Sequence, residues 1–259
     1  MHYWERIMVK TKTVALYVSL LTSFFCIGSL AAKEIKMIGA DGFEIFGDYT
    51  ASNVEGNKGV LMLHQCNQDK SMYLGLAKKL SKAGISSMSL DFRGYGKSVS
   101  GDMSIAKLRE KATSREHYFE MANKVGLGKH RESDVEIAYQ YLSNRLGSEA
   151  KISLIGASCG GTQAVLSAQK HKPESFIFFS VGMNKNTTKL FNKVSDSPAL
   201  IIASQDDGNT FTTANKIFRS AKNKNTRLIS YKGNGHGKPL FKQDPNLENK
   251  MVEWFKLDF

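Results

Sequence analysis

Ile152-Ser153-Leu154-Ile155-Gly156-Ala157-Ser158-Cys159-Gly160-Gly161-Thr162 is the stretch whose reading decides the fold. The run 152–155 has the length and apolar character of a buried strand, and Gly160-Gly161-Thr162 with Ala164-Val165-Leu166 opens a helix. Between them stands Gly156-Ala157-Ser158-Cys159-Gly160, a Gly-x-Ser-x-Gly pattern. The pattern gains meaning only in that context, where the serine sits on a sharp strand-to-helix turn with its hydroxyl exposed. Its glycines leave room where a Cβ would clash, and the helix that follows points its positive end at the serine.

Working outward, further apolar runs occur at 59–63, 85–90, 176–179 and 199–203. Such continuous runs fit strands buried on both faces, as a parallel sheet requires. Amphipathic stretches separate them. Residues 73–83 place Leu74, Ala77 and Leu80 on one helical face, and 134–146 do so with Val135, Ala138, Tyr139 and Leu142, with Ser133 or Asp134 as N-cap. Upstream, Ala40-Asp41-Gly42 is a turn signal between the strand-like runs 35–38 and 43–46, which predicts an antiparallel hairpin. The expected architecture is α/β, a mostly parallel sheet with an N-terminal antiparallel hairpin and helices on both faces. Residues 100–131 are charged and the least sheet-like, and read as a helical insertion of one or two helices.

A serine hydroxyl is a weak nucleophile that needs a base and a group to orient that base. Of six histidines, His236 lies in the glycine-rich loop Gly233-Asn234-Gly235-His236-Gly237 after a strand-like run at 228–231. That placement suits a site, whereas His117 and His130 fall in the charged insertion and His171 follows the elbow helix as a C-terminal cap. The acid should come from the end of another strand, and Ser204-Gln205-Asp206-Asp207-Gly208 follows the run 199–203. Either Asp206 or Asp207 could serve, giving the order Ser158, Asp, His236.

With these residues in place the chain resembles the α/β-hydrolase superfamily, in the branch of dienelactone hydrolases and small lidless serine esterases. The resemblance runs from about residue 35 to the C-terminus. Leu63-His64-Gln65-Cys66 is similar to the His-Gly segment that supplies half of the family's oxyanion hole. Asp91-Phe92-Arg93-Gly94-Tyr95-Gly96-Lys97-Ser98 matches its Asp-x-Arg-Gly-x-Gly-x-Ser turn, and its acid motif aligns with 204–207, which favours Asp207 over Asp206. Two departures stand out. Gln65 replaces the usual glycine, and Ser158 stands where dienelactone hydrolases themselves carry cysteine. The resemblance implies a serine hydrolase cleaving a carboxylic ester or related acyl bond, with Ser158, Asp207 and His236 as triad and the amides of Cys159 and Cys66 as oxyanion hole. Acyl transfer through the same residues, or a non-catalytic binding protein on this scaffold, are the alternatives. Both cysteines would flank the oxyanion hole, either bridged or as two small buried thiols.

The start of the chain carries Arg6, Lys10 and Lys12, an uncharged stretch at 13–30, and the small residues Ser29, Ala31 and Ala32. These are the parts of a secretory signal peptide over 1–32, leaving 33–259 as one α/β-hydrolase domain exported to the periplasm or beyond. A retained membrane anchor is the alternative. The net charge of +12 comes from dispersed lysines rather than a block, so a solvated basic surface and no nucleic-acid partner are expected. The expected partner is a small-molecule acyl substrate, with a membrane only if the N-terminal segment is kept. No cofactor or metal is expected: no histidine pair has ligand spacing, and Gly94-Tyr95-Gly96 does not open a nucleotide-binding loop.

Overall fold

The computed structural model describes residues 31–259. The expected leader, apart from its last two residues, lies outside the described residues. Eight strands form one sheet: β1 (Lys33–Ile38), β2 (Glu44–Thr50), β3 (Lys58–Leu63), β4 (Ser86–Leu90), β5 (Lys151–Ala157), β6 (Phe176–Phe179), β7 (Ala199–Ser204) and β8 (Arg227–Tyr231). Their order is β1-β2-β4-β3-β5-β6-β7-β8. The β1–β2 and β2–β4 pairs are antiparallel and every other pair is parallel. The predicted hairpin and the predicted parallel sheet are thus one continuous layer.

Alternate residues of the central strands feed two separate cores. Leu61, Leu63, Leu154, Phe176, Phe178 and Ile201 pack on one face against α4 (Arg131–Leu146), α5 (Cys159–Ser167), α6 (Lys185–Val194) and α7 (Gly208–Ser220). Val60, Met62, Ile155, Ile177, Phe179 and Ile202 pack on the other against α1 (Leu74–Lys82) and α9 (Leu247–Lys256). A strand covered on both faces has no polar side to show, which is why these runs read as uninterrupted apolar sequence. β8, at the edge, is only half-buried.

The stretch at 100–131 folds as α2 (Ile105–Lys111) and α3 (Arg115–Lys124), each begun by a serine, Ser104 and Ser114, that caps it through its hydroxyl. A five-residue α8 (Pro239–Gln243) lies between β8 and α9. Two expectations need correction. The helix α4 starts at Arg131 with His130 as its uncapped N-terminal residue, not at Ser133 or Asp134. Asp134 is absent from the cap because its carboxylate is fully buried against Arg93, at 2.6 Å from Nε and 2.9 Å from Nη2. His171 does not cap α5, which ends at Ser167. Its ring stacks on Tyr139 at 3.8 Å, and its Nε2 lies 2.9 Å from the Glu136 carboxylate.

The Asp-x-Arg-Gly-x-Gly-x-Ser turn is a brace. Arg93, 2% exposed, also pairs with Asp41 of the hairpin turn and lies over the Phe43 ring. Asp91 accepts from the amides of Lys70 and Lys97, and the Ser98 hydroxyl accepts from the Phe46 amide. The motif therefore ties the hairpin, β4 and α4 together and leaves the chemistry to other loops.

Candidate active site

Strands β3, β5, β7 and β8 are parallel, so their carboxyl ends share one edge of the sheet, and loops leaving that edge converge. Ser158 sits between β5 and α5 with φ 50 and ψ −116, a conformation that side chains rarely adopt. The turn is possible because its neighbours lack Cβ atoms. A Cβ on Gly156 would lie 2.5 Å from the Gly160 carbonyl oxygen, and one on Gly160 would run into the Leu63 carbonyl. The elbow is fastened by the Ser158 amide donating to Phe179 O at 2.9 Å.

His236 Nε2 lies 2.9 Å from Ser158 Oγ, and its Nδ1 lies 2.7 Å from Asp207 Oδ2. An ionised carboxylate only accepts, so Nδ1 carries the proton and Nε2 is left as acceptor for the serine hydroxyl. Asp207 stands at the start of α7 and also accepts from the Thr210 hydroxyl. Asp206 is exposed, and its amide is spent on Gly233 O. Between the two aspartates, the geometry brings Asp207 to His236.

Cys66 and Cys159 form a disulfide with Cα atoms 5.8 Å apart, across a sequence separation of 93. Of the two expectations for these residues, buried thiols or a bridge, the structure has the bridge. It joins the loop after β3 to the elbow. Among the described residues neither backbone amide donates to another protein group, and Cys159 opens α5, where helix amides are unsatisfied by construction. From the insertion, Arg109 Nη2 reaches the Cys66 carbonyl at 3.3 Å.

His64, next to this loop, is fully buried between Phe92 and Tyr95. Its Nδ1 donates to Gln65 O at 2.8 Å and its Nε2 accepts from the Phe92 amide at 3.1 Å, so both nitrogens are used. Burial pushes its pKa down to about 4. The residue is a neutral structural strut beneath the loop.

Three further residues, not anticipated as site residues, hold the histidine loop. The Ser204 hydroxyl donates to Gly235 O at 2.7 Å, and the Gly237 amide donates to Ser180 Oγ at 2.9 Å. The Lys238 amide donates to Gln65 Oε1 at 2.8 Å. Ser180, Ser204 and Gln65 are at most 1% exposed. Ser180 itself has φ 50, a strained value that its amide bond to Ile202 O at 2.7 Å helps hold. The only sequence sign of the two serines is that each closes an apolar strand, and nothing local says which loop they meet. Gly237, at φ +64, has no Cβ, and the place one would occupy is filled by the Gln65 amide.

An arrangement of hydroxyl, imidazole and carboxylate in one hydrogen-bonded line can move a proton off an alcohol and stabilise the resulting cation. Residues 49–252 match the dienelactone hydrolase family. No curated protein sequence matches the chain. Among solved structures, an esterase of Pyrococcus furiosus is 18% identical with a TM-score of 0.64, covering 88% of this chain and 93% of its own. A thermostable carboxyl esterase of Bacillus coagulans gives 11% and 0.62, covering 88% and 97%. A monoglyceride lipase of Saccharomyces cerevisiae gives 16% and 0.60, covering 88% and 95%. At such identities these likenesses show the fold alone, while the family match spans most of the chain. The chain belongs to the dienelactone hydrolase family and is a hydrolase that acts on esters.

Proposed function

We propose that the protein is a serine esterase in which Ser158 is the nucleophile, His236 the general base and Asp207 its orienting acid. The observation that carries this reading is the line Ser158 Oγ–His236 Nε2 at 2.9 Å and His236 Nδ1–Asp207 Oδ2 at 2.7 Å, set on a strained elbow at the sheet's carboxyl edge. His236 takes the Ser158 proton as Oγ attacks the ester carbonyl carbon, and Asp207 stabilises the imidazolium. The amides of Cys159 and Cys66 receive the carbonyl oxygen as it becomes an oxyanion, each donor contributing about 3–4 kcal/mol to the transition state. Imidazolium then protonates the leaving alcohol, and a water activated by His236 releases the acid from Ser158.

The substrate is a small-molecule ester with an accessible carbonyl. Only α6 stands between β6 and β7, so no large cap is inserted at that point, and the cleft beside His236 is bordered by Gln68, Asn234 and Phe241. Export is part of the proposal, supported by the leader-like sequence and by a disulfide of the kind that persists in oxidising compartments. No helix among the described residues is long and apolar enough to cross a membrane. The test is labelling of purified protein by a fluorophosphonate, alongside Ser158→Ala and His236→Ala. Labelling lost in both variants supports the assignment; a folded wild type that does not label overturns it.

A further inference from the structure

We infer that Gln65 is a positioning residue that sets the histidine loop against the loop bearing the Cys66 amide. The inference rests on the reading of Ser158, His236 and Asp207 just proposed. Gln65 belongs to the segment after β3, yet its side chain reaches across to the segment after β8, 173 residues away in sequence at Lys238. There Oε1 accepts the Lys238 amide at 2.8 Å, two residues beyond His236, while Nε2 donates to Asn67 Oδ1. Its own carbonyl accepts from His64 Nδ1 at 2.8 Å and from the Gln68 amide at 3.0 Å. Every polar atom of Gln65 named here is thus engaged, in a side chain that is 1% exposed.

The consequence for the reaction is geometric. Gln65 immediately precedes Cys66, so the residue that fixes the base loop also fixes the amide facing the oxyanion. Ser180 and Ser204 hold the same loop at Gly237 and Gly235 but come from other strands and touch no part of the 64–68 segment through these bonds. Gln65 alone among the three couples base to oxyanion donor. A shift of about 1 Å in such a constellation lowers turnover by up to about 100-fold while leaving the binding of the ester's remote parts intact.

The test compares Gln65→Met, which keeps the volume and removes donor and acceptor, with Gln65→Glu, which keeps an acceptor for the Lys238 amide while the Asn67 amide turns to offer its NH2. Gln65→Met is expected to lower kcat for a small ester by about 10- to 100-fold per fluorophosphonate-titrated site, with KM within about twofold. Gln65→Glu is expected to recover most of kcat. A second readout does not need turnover: the far-downfield proton resonance of the His236–Asp207 hydrogen bond should broaden or move in Gln65→Met and return in Gln65→Glu. Wild-type kcat and an unchanged resonance in Gln65→Met would overturn the inference. A kcat loss that tracks KM, or is not recovered by Gln65→Glu, would overturn it as well. Failure of the wild type to label would sink the serine-esterase reading instead, and the proton resonance would still decide the role of Gln65.

Discussion

Reducing the Cys66–Cys159 bridge should destabilise the protein by an amount set by the length of chain it closes. The two half-cystines are 93 residues apart in sequence, and the loop contains the four helices α1 to α4 together with β4 and β5. Freed in the unfolded state, a loop of that length regains conformational entropy equivalent to roughly 4–5 kcal/mol at 25 °C. For a domain of this size each kcal/mol moves the melting temperature by about 2–4 °C, so reduction should lower it by roughly 10–20 °C. Both cysteines are partly exposed, so a phosphine reductant can reach them without unfolding the chain. The assay is thermal unfolding by circular dichroism with and without reductant, with thiols counted in the same samples, and with a Cys66→Ala/Cys159→Ala variant as the permanently open form. Two counted thiols with a melting temperature within about 3 °C of the oxidised protein would refute the loop-closure argument.

Three other outcomes are expected. Asp207→Asn should lower kcat about 10⁴-fold by leaving His236 in the wrong tautomer, whereas Asp206→Asn should stay within a few-fold; equal losses would show that the acid had been misassigned. Arg93→Ala leaves the fully buried Asp134 carboxylate unpaired and should cost about 3–5 kcal/mol in urea unfolding; a change under about 1 kcal/mol would mean that the brace is idle. Stability should also fall with acid through His64. Its folded pKa is depressed to about 4, so the unfolded chain, with an ordinary histidine pKa near 6.5, binds the proton first. The contribution is complete above about pH 6.5 and disappears between there and about pH 4, for a total of roughly 3 kcal/mol. His64→Gln should flatten the urea midpoint across that window; an unchanged slope would place the loss elsewhere.

What sequence could show divides along the range of the interactions. The elbow at 156–160, the parallel strands and the His236 loop were legible because each is a local pattern of turn, period or glycine spacing. Asp207 over Asp206 needed the resemblance, since adjacent residues at a strand end differ mainly in direction. The start of α4 was misjudged because Asp134, a good N-cap by type, is claimed by Arg93 from 41 residues away. The three side chains gripping the histidine loop were invisible for the same reason, while the bridge was legible only as one of two options for Cys66 and Cys159. Nothing near Gln65, Ser180 or Ser204 in sequence indicates that their partners lie at 235–238.

The contact between Gln65 and Gly237 also has an evolutionary reading. The Gln65 amide occupies the volume in which any side chain at 237 would begin, so the two positions are not free to drift independently. A lineage that shortens residue 65 opens space for a left-handed-tolerant residue such as asparagine at 237, and one that keeps glutamine is held to glycine there. Among relatives the two positions should therefore change together, as a pair inherited across the width of the sheet.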